Sequence, residues 1–303
     1  MIPTSLRELL DETTGQREVE WAGRRIWLIK EAWGELAVSL QGAQVLHYQP
    51  GSRHETPSPS DSSPSAQDGW LWVTPTPQSL PGTIRGGIPL CWPWFADERT
   101  ADETPDHSGP MHGLARQAQW RLEASDDHEE GRELHLSPVE RLHTQLTPRA
   151  VIQANAQRLH VELITEHTGE TPVRMSGALH SYLAVSNTFE SRIEGLAGAR
   201  YLDKHQDFSE FIQQGELGIR DALDRIYESN RDVILEDSQR RLRIAKQGSD
   251  STVIWHPGES QLRDVPAEAS RHFLCVESAC TRLDPVWLVP GAQHLLGTTL
   301  TEA

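Results

Sequence analysis

SGALHSYLAVSN, residues 176–187, alternates at every second position. In an extended chain Ala178, His180, Tyr182 and Ala184 fall on one face, and Leu179, Ser181, Leu183 and Val185 on the other. The pattern predicts a strand with His180 in its middle. The ordinary fate of such a histidine is a hydrogen-bonded core or surface residue, so a chemical role for it needs a partner elsewhere in the chain. Short β-like runs recur on both sides: RRIWLIK (24–30), ELAVSL (35–40), AQVLHY (43–48), RLHVELITEH (158–167), VRMSGALHSYLAV (173–185), RDVILE (231–236), RLRIAK (241–246), STVIWH (251–256) and RHFLCVE (271–277). Gly, Pro, Asn and Asp cluster between them. No helical period persists after the N-terminus, where Leu6, Leu9 and Leu10 form one face of a short helix. The expectation is an all-β chain, with antiparallel strands in a sandwich or barrel, forming a single domain over residues 1–303. SRHETPSPSDSSPSAQDG, residues 52–69, is too poor in apolar residues to repay ordering and reads as a disordered loop inserted in that domain.

Composition narrows the classes of function. A net charge of −16 excludes a general binder of nucleic acid or anionic membranes, which needs a positive footprint. No apolar run approaches the roughly 18 to 20 residues of a membrane span, and MIPTSLRELLDETTG lacks the basic start and apolar centre of a secretory signal, so a soluble cytoplasmic protein is expected. Cys91, Cys275 and Cys280 form no CxxC pair, which argues against a disulfide framework and a thiolate zinc site. Of 28 basic residues only Lys30, Lys204 and Lys246 are lysines, an arginine bias that composition alone can produce. Only arginines beside other site-like residues therefore carry weight.

Three further stretches have that character. TIRGGIPLCWPWF, residues 83–95, holds prolines that a helix or central strand would reject, glycines that permit close backbone approach, and three large aromatics. It suits either a pocket wall or a buried turn whose aromatics fill core. GPMHGLARQAQW, residues 109–120, sets His112 beside Gly113 with Arg116 close behind, either at a ligand or in a surface turn. FLCVESAC closes an apolar run with Glu277, which reads as a carboxylate at the end of a buried strand.

Taken in order, RGGIPLCWPWF, HGLAR, ALHSYLAV, DRIY (224–227), FLCVE and PGAQHLL resemble the hexose-6-phosphate mutarotases, or glucose-6-phosphate 1-epimerases, of the aldose-1-epimerase-like group. The resemblance runs from about Trp27 to Leu296. It implies a large antiparallel β-sandwich with the sugar on a concave sheet face and a reaction without cofactor or metal. It further implies that His180 and Glu277 are catalytic, that Arg85 and Arg116 bind the substrate phosphate, and that His112 and Asp224 contact sugar hydroxyls. Met111 departs from the small or polar residue usual before that histidine, and Asp203, in YLDK, is assigned to loop structure. Exchange of anomers needs one group to take the anomeric proton while another protonates the ring oxygen. With reference pKa values of about 4.3 and 6.5, Glu277 suits the base and His180 the acid. Three other readings are an epimerase of unphosphorylated aldoses, a non-catalytic carbohydrate-binding sandwich, and a metal-dependent enzyme. The last is disfavoured by histidines scattered without HxH or HExxH spacing.

Overall fold

Arg158–His167 is buried at every second residue, Leu159, Val161, Leu163, Thr165 and His167, so one face of this strand is committed to an interior. The computed structural model, which describes residues 1–51, 69–97 and 109–303, builds two large antiparallel sheets from such strands. The back sheet has nine, in the order Leu217–Gly218, Arg192–Glu194, Val233–Glu236, Arg241–Gln247, Gln293–Glu302, Arg158–His167, Leu146–Ala154, Gly131–Pro138 and Trp120–His128. The second, here the site sheet, runs Ser209–Ile212, Arg200–Asp203, Leu223–Glu228, Ser251–His256, Phe273–Cys280, Gly177–Leu179 and Leu90–Cys91, with Tyr182–Ala184 also paired to Phe273–Cys280.

The sheets form a sandwich. Leu274 and Val276 of the site sheet share one apolar cluster with Leu159, Val161, Leu163, Leu296 and Leu300 of the back sheet. Trp92 is wholly buried between them, and its indole Nε1 donates to Thr165 Oγ1 at 3.0 Å. A four-stranded sheet, Gly15–Trp21, Arg24–Glu31, Gly34–Ser39 and Gln44–Pro50, joins the same core through Ile29, Leu36, Val38 and Val45. Its other side receives the helix Thr4–Asp11, whose Leu6 and Leu10 pack on Trp21, Ile26 and Leu28. Among the described residues no helix is long and apolar enough to cross a membrane. The Ser/Pro-rich segment lies outside the described residues except for Gly69.

The strand expected through VRMSGALHSYLAV is three pieces, Val173–Met175, Gly177–Leu179 and Tyr182–Ala184. The first break falls at Ser176, whose N–H donates to Pro93 O and whose hydroxyl accepts from the Phe95 N–H. The second falls at His180 and Ser181, where the Ser181 N–H turns back to Leu179 O at 3.0 Å instead of joining a ladder. His180 is thus in a strand break, not in mid-strand. The face assignment survives the break: Leu179, Leu183 and Val185 enter the inter-sheet core, while Ala178, Tyr182 and Ala184 pack on the opposite side. Glu277 does not finish its strand either. Phe273–Cys280 continues through Ser278, Ala279 and Cys280, small residues that fit a buried sheet, and leaves Glu277 inside it and 1% exposed.

Candidate active site

Register brings the two expected catalytic residues together. Leu179 pairs with Ser278 before the break and Tyr182 with Cys275 after it, an unchanged antiparallel register that sets His180 opposite Glu277. Their side chains meet, His180 Nε2 lying 3.3 Å from Glu277 Oε1. TIRGGIPLCW holds this spot from the other side. Pro89 O accepts the His180 N–H at 3.0 Å, Gly87 O accepts the Tyr182 N–H at 2.8 Å, and Cys91 pairs with Ala178. The glycines make that approach feasible. A Cβ on Gly87 (φ +61°) would stand 2.0 Å from Val45 O, and one on Gly86 (φ +124°) 2.4 Å from Trp72 O. Both open readings of this stretch hold for different residues: Trp92 fills core, whereas Phe95 and Arg85 line a cavity.

That cavity, about 610 Å³, lies over the site sheet. Period-two alternation aims Asp224 and Ile226, Val253 and Trp255, then Glu277 into it from successive strands, followed by His180 and Tyr182. Arg85, His112 and Arg116 also line it, so all six residues singled out in the sequence converge. Met111 stands at the same cavity and is 54% exposed.

The electrostatics differ from the sequence expectation. Burial pushes the Glu277 carboxyl well above its ordinary range, and neighbouring Asp224 adds to the rise. Burial also pushes His180 well below its ordinary value, with His112, Arg116 and Arg85 acting in the same direction. Reference values assume water around each group, whereas here Glu277 and His180 are both enclosed. Both shifts act against the charged forms, so burial disfavours a carboxylate beside an imidazolium here. His180 Nδ1 and Glu277 Oε2 have no hydrogen-bond partner among the described residues. His112, at φ +66°, is pushed down to about 3 by burial and then by the charges of Arg116, Lys204 and Arg85. Its Nδ1 accepts from the Ala96 N–H at 3.2 Å, so the neutral ring carries its proton on Nε2 and offers a donor.

The arginines are held differently. Arg85 Nε donates to both carboxylate oxygens of Asp264 at 2.9 and 3.0 Å, and Nη1 donates to the Tyr182 hydroxyl at 3.3 Å. Tyr182 in turn stacks on His180, ring centroids 4.8 Å apart. Arg116 donates to Thr83 Oγ1 at 3.2 Å, makes no ion pair among the described residues, and has a buried Nε without a partner. Sequence reasoning missed Asp264, which lies 179 positions from Arg85 and has no local signal. It also missed Lys204, a cavity residue whose Nζ is 3.0 Å from Asp224 Oδ2; its rarity in a lysine-poor chain was the available clue. Asp203 caps the turn at Lys204–Gln206, accepting the His205 N–H at 3.0 Å, a structural role. Among the described residues one group offers metal-ligand donors, His180, Cys275 and Glu277, all within 4.8 Å. Burial pushes the Cys275 thiol well above its ordinary value, so a metal bound there would have to displace that proton.

The aldose 1-epimerase family model matches residues 25–301. The chain belongs to the aldose 1-epimerase family. Its relatives include a protein named "Putative glucose-6-phosphate 1-epimerase" from Escherichia coli (strain K12), 28% identical over 80% of this chain and 78% of that one. A protein of the same name from Cenchrus ciliaris is 25% identical over 70% of this chain and 68% of that one. Among solved structures, one described as "a putative mutarotase (YeaD) from Salmonella typhimurium" has a TM-score of 0.81 at 20% identity, covering 99% of this chain and all of the other. A galactose 1-epimerase from Lactobacillus acidophilus NCFM has a TM-score of 0.59 at 13% identity, over 95% and 98% of the two chains. These structures share the fold of this epimerase-family chain.

Proposed function

We propose that the protein interconverts the α and β anomers of a hexose 6-phosphate, with glucose 6-phosphate as the reference substrate, by acid/base ring opening and closure. The observation that carries the phosphate is Arg116, a cavity guanidinium without an acidic partner among the described residues of a chain with net charge −16. The names of the relatives at 28% and 25% identity point the same way.

His180 and Glu277 share one proton, which is what the reaction needs: one donor and one acceptor. Across the sheet, Asp224, Glu277, His180 and the segment bearing Arg85 follow one another. Around the sugar, ring hydroxyls, the anomeric hydroxyl, the ring oxygen and the 6-phosphate follow in the same sequence. Glu277 then faces the anomeric hydroxyl and His180 the ring oxygen. Burial, then His112, Arg116 and Arg85, lowers His180; a bound phosphate offsets the two arginine charges and so favours the state with the proton on His180 and Glu277 ionised. Glu277 takes the anomeric proton, His180 protonates the ring oxygen as its bond to the anomeric carbon breaks, and the free aldehyde rotates. Closure on the opposite face returns both protons. His112 and Asp224 hold hydroxyls meanwhile.

One observation favours an unphosphorylated aldose: Arg85 is already matched by Asp264. Anomer exchange by magnetisation-transfer NMR separates the two readings. Removing one charge-assisted contact in Arg116→Ala or Arg85→Ala should cost about 10- to 100-fold with glucose 6-phosphate and much less with glucose. Equal losses on both sugars in both variants would refute the phosphate assignment.

A further inference from the structure

We propose that Lys204 determines specificity, its ammonium and the Asp224 carboxylate together reading two adjacent ring hydroxyls, those on C2 and C3 of the sugar. This rests on the proposed sugar chemistry, though not on the phosphate.

The pair is built into the fold. Lys204 follows Arg200–Asp203, and Asp224 lies in the neighbouring strand Leu223–Glu228. Asp203, buried and opposite Arg225 in the ladder, accepts from Arg225 Nε at 3.1 Å and from the His205 N–H at 3.0 Å. One carboxylate thus ties the turn that carries Lys204 to the strand that carries Asp224. Asp207 and Phe208 take left-handed backbone, φ +51° and +57°, and the Phe208 N–H closes the turn on Asp203 O at 2.9 Å. The result sets Lys204 Nζ 3.0 Å from Asp224 Oδ2, with both residues at the cavity. The ammonium acts within the site: its charge adds to the burial that lowers His112 and partly opposes the burial that raises Glu277.

Chemistry selects hydroxyls as the target. A sugar hydroxyl both donates and accepts, so a carboxylate that only accepts and an ammonium that only donates form a complementary couple for two neighbouring hydroxyls. Their separation resembles that between adjacent ring oxygens. A phosphate is the poorer match for Lys204, because Asp224 would oppose it, while Arg116 meets no acid among the described residues. Position agrees: in the sheet Asp224 stands on the side of Glu277 away from His180 and the Arg85 segment, where hydroxyls beyond the anomeric carbon fall. The alternative is a half-exposed ion pair with no part in recognition. Such pairs matter little, and their loss would leave exchange unchanged.

The test measures anomer exchange with glucose 6-phosphate, 2-deoxyglucose 6-phosphate and 3-deoxyglucose 6-phosphate for wild type, Lys204→Met and Lys204→Arg. Lys204→Met keeps the stem and removes the charge. It should lower kcat/KM on glucose 6-phosphate about 10- to 100-fold, mostly through KM. The analogue lacking the hydroxyl that Lys204 reads should lose less than about threefold, since wild type already lacks that bond. Lys204→Arg should recover part of the loss. No loss on any substrate, or the same loss on all three with an unchanged urea midpoint, overturns the assignment. A wild type that exchanges free aldoses but no hexose 6-phosphate refutes the proposed substrate instead. The same pattern is then required of glucose, 2-deoxyglucose and 3-deoxyglucose, so the two proposals fail separately.

Discussion

Among the described residues, two glutamate–histidine pairs have the same separation and opposite electrostatics. In the four-stranded sheet His47 Nε2 lies 3.3 Å from Glu35 Oε2; in the site sheet His180 Nε2 lies 3.3 Å from Glu277 Oε1. Burial alone would raise the Glu35 carboxyl, but hydrogen bonds from His47, Arg7 and Lys30 hold it far below the usual range. Arg7 Nη1 reaches Glu35 at 2.6 Å and Lys30 Nζ at 2.9 Å, so both carboxylate oxygens are occupied. Among the described residues no arginine or lysine contacts Glu277. Arg116 and Lys204 reach it only through their fields, and burial prevails. The acid–histidine distance alone therefore says nothing about chemistry. Cations at contact make an ionic cluster that fastens the N-terminal helix through Arg7, whereas with its cations withheld to a cavity wall Glu277 keeps a carboxyl raised by burial.

The widest expected difference is in catalysis. His180→Ala and Glu277→Gln should each lower anomer exchange about 100- to 10,000-fold, and the double variant should lose less than the product because the pair works as a unit. Glu35→Gln, when folded, should exchange at the wild-type rate. Magnetisation-transfer NMR on the four proteins checks this, and a Glu35→Gln loss as deep as that of Glu277→Gln would erase the distinction.

Stability should separate the pairs in the opposite sense. Glu35→Gln removes charge-assisted bonds and should cost roughly 1.5–3 kcal/mol, while Glu277→Gln should stay within about 1 kcal/mol of wild type, since burial already disfavours the charge that the substitution removes. The pH dependences should also oppose each other. Glu35, depressed in the folded state, stabilises above its unfolded value near 4.5, and that stability is lost as the pH falls below it. Glu277, raised in the folded state, stabilises most below that value and loses the contribution as the pH rises toward its folded pKa. Urea unfolding of wild type and both variants between pH 2 and 8 tests the sign.

The mildest effect is on the activity profile. Because His180 is lowered and Glu277 raised, the one-proton state of the pair spans a broad plateau. The acid limb should reflect a second proton entering at His180, below the ordinary histidine value, and the alkaline limb loss of the last proton, above the ordinary carboxylate value. An acid limb at or above about pH 6.5 in the profile of kcat/KM would restore the ordinary assignment, with His180 unperturbed.

Legibility followed the range of the interactions involved. RLHVELITEH and STVIWH match observed strands residue for residue, because a strand with one buried face writes its period into its own sequence. WRLEASDDH escaped notice: Trp120–His128 is an outer strand with polar residues on much of both faces. Glu277 looked terminal because Ser278 and Ala279 carry too little apolar signal to extend a run. The convergence of His180, Glu277, Arg85, His112, Arg116 and Asp224 on one cavity was legible through motif order. Asp264 and the Lys204–Asp224 couple were not, because each depends on a contact between segments distant in sequence.

By itself, then, the sequence determined strand period, the faces of SGALHSYLAV, the glycines required where backbones meet, and the residue types available for proton transfer and anion binding. These are properties of neighbouring positions, which alternation and steric fit decide locally. Tertiary structure alone decided which Glu–His pair has its carboxyl held far below the usual range by contacting cations and which has its carboxyl raised by burial. That depends on desolvation and on where Arg7, Lys30, Arg85, Arg116 and Lys204 stand around each pair, and electrostatic energy is set by distance and surroundings in space.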